Sequence, residues 1–314
     1  MVAIHLVSRL VSSNSWLFAG LLGLLLVLGT GCGEDSTATP KPTPTPAPFP
    51  LVIIDSNGLE VTFDRPPERI VSYDSAPIEM LFAMGEVGRI VGTHDFVTYP
   101  PEAEAIPKVG SAFNINQEKI VELEPDLIFT FYDGSLPDLE NLGIKVLYLE
   151  TPDTLEGISE RIRLWGLIAG NPVAAEKIAT EFDAKIMALQ ERLATVEEAP
   201  RVFHDGSDFW TPGPDTLVGR IYTLLKAQNI AGDISGYVQL SPEVILERDP
   251  QVIITTFPET LKVYQDGPAF QDVSAVKEGS VFTIDASLLE VAGPRFIEAV
   301  EELNRLIHPE ISEQ

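Results

Sequence analysis

Glu118-Lys-Ile-Val-Glu-Leu-Glu-Pro-Asp-Leu-Ile-Phe-Thr-Phe131 decides how the chain is organised. Its layout recurs without a gap at Glu243-Val-Ile-Leu-Glu-Arg-Asp-Pro-Gln-Val-Ile-Ile-Thr-Thr256, 125 residues on (243 − 118). In each copy a short helical stretch, apolar at Ile120, Val121 and at Ile245, Leu246, runs into an acidic residue and a proline. Proline disfavours helix at the residue before it, so the helix must end there. A short apolar run follows, Leu127–Phe131 or Val252–Thr256, and reads as a buried strand. Two such units so far apart predict two lobes of similar construction, each opening its unit on a glutamate.

Outward from that pair, strands alternate with helices. Leu51–Ile54 and Leu59–Phe63 flank Asp55-Ser56-Asn57-Gly58, a hairpin with an Asn-Gly turn. Arg69–Tyr73 reads as a buried strand, Ile78–Met84 as a helix stopping at Gly85, and Arg89–Gly92 as the next strand. Thr93–Pro101 and Ser111–Asn116 read as loops. A helix near Leu136–Leu142 and a strand Val146–Leu149 follow the first unit. Residues 153–197 carry only helical periodicity, over Leu155–Ala169 and Pro172–Val196, with Pro172 well placed to open the second helix. Arg201–His204 echoes Arg69–Ser72, and 279–285 echoes 143–149. Phe296–Ile307 closes the chain as an amphipathic helix. This alternation predicts parallel sheets covered on both faces. The fold class is therefore α/β: two doubly wound lobes, 51–152 and 198–314, joined through 153–197 by one long, stiff helix, with a cleft between them.

The N-terminus reads as a targeting segment. Arg9 precedes the apolar run Trp16–Leu28, too short to span a bilayer comfortably but suited to a signal peptide. It leads into Gly29-Thr-Gly-Cys32, and Cys32 is the only cysteine of the chain, so no intrachain disulfide forms. A small-residue turn ending in cysteine resembles a bacterial lipoprotein cleavage site, although Gly29 stands where a large aliphatic residue is usual. The expectation is a signal peptide over 1–32 with lipidation of Cys32. Residues 33–50 then form a spacer, because alternating prolines from Pro40 to Pro50 favour extended polyproline II. Of 314 residues, 45% are hydrophobic, enough for packed cores, and 47 acidic against 21 basic residues leave a net charge of −26. That balance excludes nucleic acid, which needs clustered Lys and Arg, and suits a cationic docking surface or simple solubility.

Taken together, several stretches make the chain resemble the substrate-binding lipoproteins of ABC importers. They are Arg69-Ile-Val-Ser-Tyr73, Glu79–Gly85, Tyr99-Pro-Pro-Glu102, Pro107–Gly110, the Glu118 unit, Gly213–Thr216, Gln239–Glu243 and Gly293-Pro-Arg295. The resemblance covers about 51–308 and is to the class whose lobes are joined by a long helix, which handles corrinoids such as cobalamin, ferric siderophores and haem. It implies a monomer held at the membrane by its lipid anchor. Its role would be to capture a metal-chelate nutrient, a corrinoid ahead of a ferric siderophore, and deliver it to the permease subunits, with no cofactor of its own. It also implies that Glu118 and Glu243, which match the family's docking positions, meet arginines of the permease. The bland alternative is an acidic residue stabilised in a helix's first turn.

Ligands in open α/β folds bind beyond the carboxyl ends of the strands. The loops there hold Tyr73, Asp74, His94, Asp95, Phe96, Phe113, Tyr132, Phe209, Trp210, Tyr237 and Phe257. The aromatic members are candidates to stack on a flat macrocycle or a catecholate, with Trp210 and Tyr237 foremost. Arg295 is a candidate for a ligand carboxylate or phosphate, or else pairs with a local acid. Haem would need an axial ligand such as Tyr73 or a histidine. Free-metal binding would need His94 and His204 to converge with Asp285 or Glu290; the mature chain's only other histidine is His308, and no metal site is expected. His204, Asp205, Ser207 and Asp208 are close in sequence, but no nucleophile elbow, phosphate loop or dinucleotide fingerprint accompanies them. An enzyme is not expected. A ligand-sensing ectodomain of the same fold is the remaining alternative.

Overall fold

The computed structural model describes residues 49–312. The expected signal segment with Cys32, and nearly all of the proline spacer, lie outside them. No helix among the described residues is long and apolar enough to cross a membrane.

The expected hairpin forms from β1 (Leu51–Ile54) and β2 (Glu60–Phe63), with Leu51 opposite Phe63. Its turn is held by the Asp55 carboxylate, which accepts the amides of Asn57 and Leu59. The chain then enters β3 (Ile70–Ser72), α1 (Ser75–Ala83) and β4 (Ile90–Thr93). The helix α1 starts three residues earlier than the apolar pattern suggests, because Asp74 caps it by accepting the Ala76 amide. The stretch read as a loop at 111–116 lies largely within a small hairpin, β5 (Gly110–Ser111) with β6 (Asn114–Ile115). Next come α2 (Gln117–Glu122), β7 (Leu127–Thr130), α3 (Leu136–Glu140) and β8 (Val146–Tyr148).

Two helices follow, α4 (Leu155–Ala169) and α5 (Pro172–Leu193). They are separated by Gly170 in the left-handed conformation (φ 73°), a standard helix stop. The long helix is 22 residues, about 33 Å, and ends before Val196. The two helices pack closely where Gly166 faces Ala175: a Cβ added to Gly166 would lie 2.1 Å from that of Ala175.

The second half runs β9 (Arg201–Asp205), β10 (Trp210–Pro212), α6 (Leu217–Leu224), β11 (Gln228–Asn229), β12 (Tyr237–Gln239), α7 (Pro242–Arg248), β13 (Val252–Thr255), α8 (Pro258–Asp266), α9 (Ser274–Glu278), β14 (Val281–Thr283), α10 (Ala286–Glu290), α11 (Phe296–Ile307) and α12 (Pro309–Ser312). Each half holds one four-stranded, all-parallel sheet, ordered β4-β3-β7-β8 and β11-β9-β13-β14. In both, the second strand lies outside the first and the third and fourth extend the other way. The two copies of the opening motif are thus the same element, a crossover helix (α2, α7) feeding the third strand (β7, β13).

Strand alternation divides the interior. Ile70, Leu127 and Phe129 of the first sheet, and Val202, Val252 and Ile254 of the second, point into one continuous core. That core also takes Trp165, Phe182 and Leu189 from α4 and α5, and Phe296 and Leu303 from α11. Their neighbours face the other way. Val71 and Ile128 enter a smaller cluster with Ile120, and Phe203 and Ile253 enter one with Ile245. Each sheet is therefore covered on both faces, and the two lobes share a core rather than hang from a hinge.

Candidate functional site

In each sheet the order reverses between the first and third strands, so a crevice opens outside β3/β7 and β9/β13. On the first side it is a cavity of about 230 Å³, walled by Tyr73, Asp74, Ser75, His94, Phe96 and Phe113, and from across by Ser287, Glu290 and Val291. Asp74 leaves β3 in extended conformation, its carbonyl bonded by the Ser72 hydroxyl at 2.7 Å. Burial raises its carboxyl, against the Ala76 amide and Arg161, which lower it. The Phe96 amide donates to His94 Nδ1 at 3.3 Å, so Nδ1 is an acceptor and Nε2 carries the hydrogen, 2.9 Å from the Ser75 hydroxyl. Burial, reinforced by Lys108, pulls this imidazole down to about 4, which agrees with a neutral ring.

On the second side a cavity of about 360 Å³ is walled by Thr151, His204, Gly206, Tyr237, Thr256, Leu289 and again Glu290. Glu290, at the end of α10, borders both cavities; burial raises its carboxyl, and Asp285 adds to that. His204 Nδ1 lies 2.6 Å from the Tyr222 hydroxyl. The ring is 5% exposed, and burial lowers it from 6.5 to about 4. A depressed histidine stabilises the fold above its unfolded pKa, and that contribution is lost as pH falls from 6.5 to about 4, because the unfolded chain takes up the proton first. At about 1.4 kcal/mol per pKa unit, the loss is roughly 3 kcal/mol. Replacing His204 with Gln is expected to remove this component from the slope of urea-unfolding stability against pH. A variant as pH-sensitive as the parent would mean the ring is not held neutral.

Trp210 and Tyr237 do not lie in separate loops. β10 and β12 pair antiparallel, with Trp210 opposite Gln239 and Pro212 opposite Tyr237. Alternation then puts Trp210, Pro212, Tyr237 and Gln239 on one face of the ribbon, while Thr211 turns inward. Trp210 is 48% and Tyr237 61% exposed. Phe96 and Phe113 are exposed on the first side, Phe113 packed at a tilt against Tyr132 with 4.7 Å between ring centres.

Other candidates are placed differently. Tyr73 borders the first cavity but is buried, and its hydroxyl donates to the Val109 carbonyl at 3.0 Å, so it offers no axial oxygen. Arg295 lines neither cavity: its guanidinium donates to the Glu79 carboxylate at 2.8 Å and lies 3.4 Å over the Tyr99 ring. Phe257 is exposed as the residue preceding α8 but lines neither cavity. His308 packs against the Leu225 carbonyl, Nε2 to oxygen 2.6 Å. Among the described residues no three His, Cys, Asp or Glu side chains gather where they would hold a metal ion. Asp205 is buried, accepting the Phe209 amide and the Tyr264 hydroxyl, while His204 faces Tyr222; the two make no acid–base pair.

The match to the Periplasmic binding protein family runs over residues 70–288, which includes every strand of both four-stranded sheets. The chain belongs to that family. An ABC transporter substrate-binding lipoprotein of Bacillus subtilis, YvrC, is 30% identical over 271 residues, covering 83% of this chain and 86% of that one. A vitamin B12-binding protein of Pectobacterium atrosepticum is 31% identical over 248 residues, covering 76% and 87%. The solved periplasmic vitamin B12 binding protein BtuF of Vibrio cholerae matches with a TM-score of 0.68 at 28% identity, covering 79% of this chain and 99% of that one.

Within this periplasmic binding protein, Glu118 and Glu243 occupy equivalent sites. Each is the second helical residue, of α2 after the cap Asn116 and of α7 after the cap Ser241, and each is exposed. The caps accept the amides of Lys119 and Val244. The Glu243 carboxyl is lowered by its own backbone amide and then by Ser241. Because α2 and α7 run back toward the start of β7 and β13, their first turns lie at the carboxyl rim of each sheet. Two cleft residues had little signal in the sequence. Glu290 stood out only as a conceivable metal partner, and Ser75 not at all, since a five-residue helix and a first-turn serine look like any others.

Proposed function

We propose that the protein is the substrate-binding component of an ABC importer that captures a metal chelate in the cleft between its lobes, a corrinoid ahead of a ferric siderophore. The observation that carries this reading is the aromatic lining of the cleft, Tyr237 in the second cavity and Phe96 and Phe113 in the first, with the exposed Trp210 on the same face of the β10–β12 ribbon as Tyr237. Aromatic faces on both sides of a crevice suit a large, flat, partly apolar ligand. The relatives named for vitamin B12 support the preference for a corrinoid. Haem fits less well, because Tyr73 and His94, the nearest axial candidates in the first cavity, are committed to hydrogen bonds. In the same reading, Cys32 carries the lipid that holds the protein at the membrane, the folded part works as a monomer, and Glu118 and Glu243 meet arginines of the permease.

Calorimetric titration of cyanocobalamin, a ferrichrome-type chelate and haem into the mature chain tests the cargo. With the bound chelate identified, Trp210→Ala/Tyr237→Ala is expected to weaken binding about 30-fold, at roughly 1 kcal/mol for each ring lost. Unchanged affinity in the double variant would move the ligand away from the ribbon.

A further inference from the structure

The cleft also has an electrostatic character. Among the described residues that line its two cavities there is no Lys or Arg. Basic side chains that come near point their hydrogen bonds elsewhere, although the charge of Lys108 still reaches His94 and that of Arg161 still reaches Asp74. Lys108 donates to the Thr93 hydroxyl and the Ala103 carbonyl, both at 3.1 Å. Arg161 donates to the Glu150 carbonyl at 2.9 Å, Arg220 pairs with Asp153 at 3.4 Å, and Arg295 is buried against Glu79. The two histidines in the lining supply no positive charge, since His94 is fixed as the neutral tautomer by the Phe96 amide and His204 is buried against a tyrosine hydroxyl. The charged groups that remain in the lining are acidic. Asp74 forms part of the first wall, and Glu290 borders both cavities.

We propose that this cleft discriminates cargo by charge, admitting chelates that are neutral or cationic overall and carry N–H or O–H donors on their rim, and rejecting chelates that carry peripheral carboxylates or a net negative charge. The inference rests on the proposed function, in that it takes the inter-lobe cleft as the cargo site. A carboxylate only accepts hydrogen bonds, so Asp74 and Glu290 are matched by amide or hydroxyl donors and opposed by anions. Arg161 offsets Asp74 in part, and no lysine or arginine lies in the lining beside Glu290. At roughly tenfold for each carboxylate, an anion brought to about 6 Å of both is disfavoured on the order of 100-fold. Repulsion of this kind separates ligands of similar size and flatness, which the aromatic face alone does not. Amide-rimmed corrinoids and neutral trihydroxamate chelates pass this filter. Haem with its propionates and ferric tricatecholates do not.

The test is a binding panel on the mature chain at neutral pH and physiological salt, using cyanocobalamin and ferrichrome as uncharged probes, aquacobalamin as a cation, and haem and a ferric tricatecholate as anions. The expected result is that the tightest uncharged or cationic probe binds at least about 100-fold more tightly than either anion. Glu290→Gln is expected to shrink that ratio about tenfold, a change that loss of packing alone does not produce. An anion bound as tightly as the uncharged probes, or a ratio unmoved in Glu290→Gln, overturns the charge filter and leaves the chelate reading standing. If no probe of any charge binds, the chelate reading itself falls and the filter with it.

Discussion

Uptake is expected to stop when both Glu118 and Glu243 are changed to arginine, while the affinity for cargo stays that of the parent protein. The two side chains sit at the same helical position in elements that feed the same strand of each sheet, and both are exposed. Their separation is held by the continuous core that runs from the first sheet through α4 and α5 to the second, so they reach a partner as a fixed pair. A fixed pair of carboxylates suits two arginine clusters, where charge-assisted and often bidentate bonds set orientation as well as affinity. Reversing both charges replaces each attraction with a repulsion that costs several kcal/mol at an interface, which is enough to bring transport to background. Each single reversal is expected to fall between the parent and the double. Neither residue lines a cleft cavity, so calorimetry on the isolated protein is expected to show no change. Uptake into vesicles bearing the cognate permease is the measurement, and transport retained by the double variant would leave the glutamates as ordinary first-turn residues stabilised by their helices.

The second large effect concerns stability. Glu79 in α1 belongs to the first lobe and is 3% exposed; Arg295, just before α11, comes from the far end of the chain. The Arg295 Nε and Nη2 both donate to Glu79 Oε1, at 3.2 and 2.8 Å, and the guanidinium covers the Tyr99 ring. Burial raises the Glu79 carboxyl more than Arg295 lowers it, so Arg295 is the main group opposing its neutralisation. Arg295→Met is therefore expected to destabilise the protein by about 3–5 kcal/mol, because it leaves a buried carboxylate uncompensated. The double variant Glu79→Met/Arg295→Met, which removes both charges, is expected to recover most of that loss. Urea unfolding of the two single variants, the double and the parent closes the cycle. A double variant as unstable as the sum of the singles would show that the residues act by packing alone. Because the pair ties the first lobe to the second, it also contributes to the resistance to wide hinge closure that the shared core implies.

The architecture was legible in the sequence because it depends on near neighbours. Proline after Glu124 and Asp249 ends two helices, the apolar runs that follow have the length of strands, and the 125-residue spacing (243 − 118) equates them. The structure gives both runs the same place, third in chain order and beside the first strand, in two sheets of one topology. Pro172 opens the long helix, which stops at Leu193 where the periodicity alone ran on to Val196. Asp74 is similar in kind: read as a cleft residue, it borders the cavity, and it also caps α1, a local role that moved the helix start.

The class, two wound α/β lobes with a helical connection, follows from local sequence, since strand alternation, helix stops and turns are short-range steric facts. Which side chains meet at the cleft and in the core depends on packing between distant segments. Trp210 and Tyr237 are 27 residues apart (237 − 210), and a register between two short strands puts them on one face. Arg295 was equally suited to a ligand or to a local acid until Glu79, 216 residues away in sequence, took it inward. Tyr73 lost its free hydroxyl to the Val109 carbonyl, and Glu290 became a wall common to two cavities, because packing between distant segments sets which polar groups are satisfied inside and which are left facing the crevice.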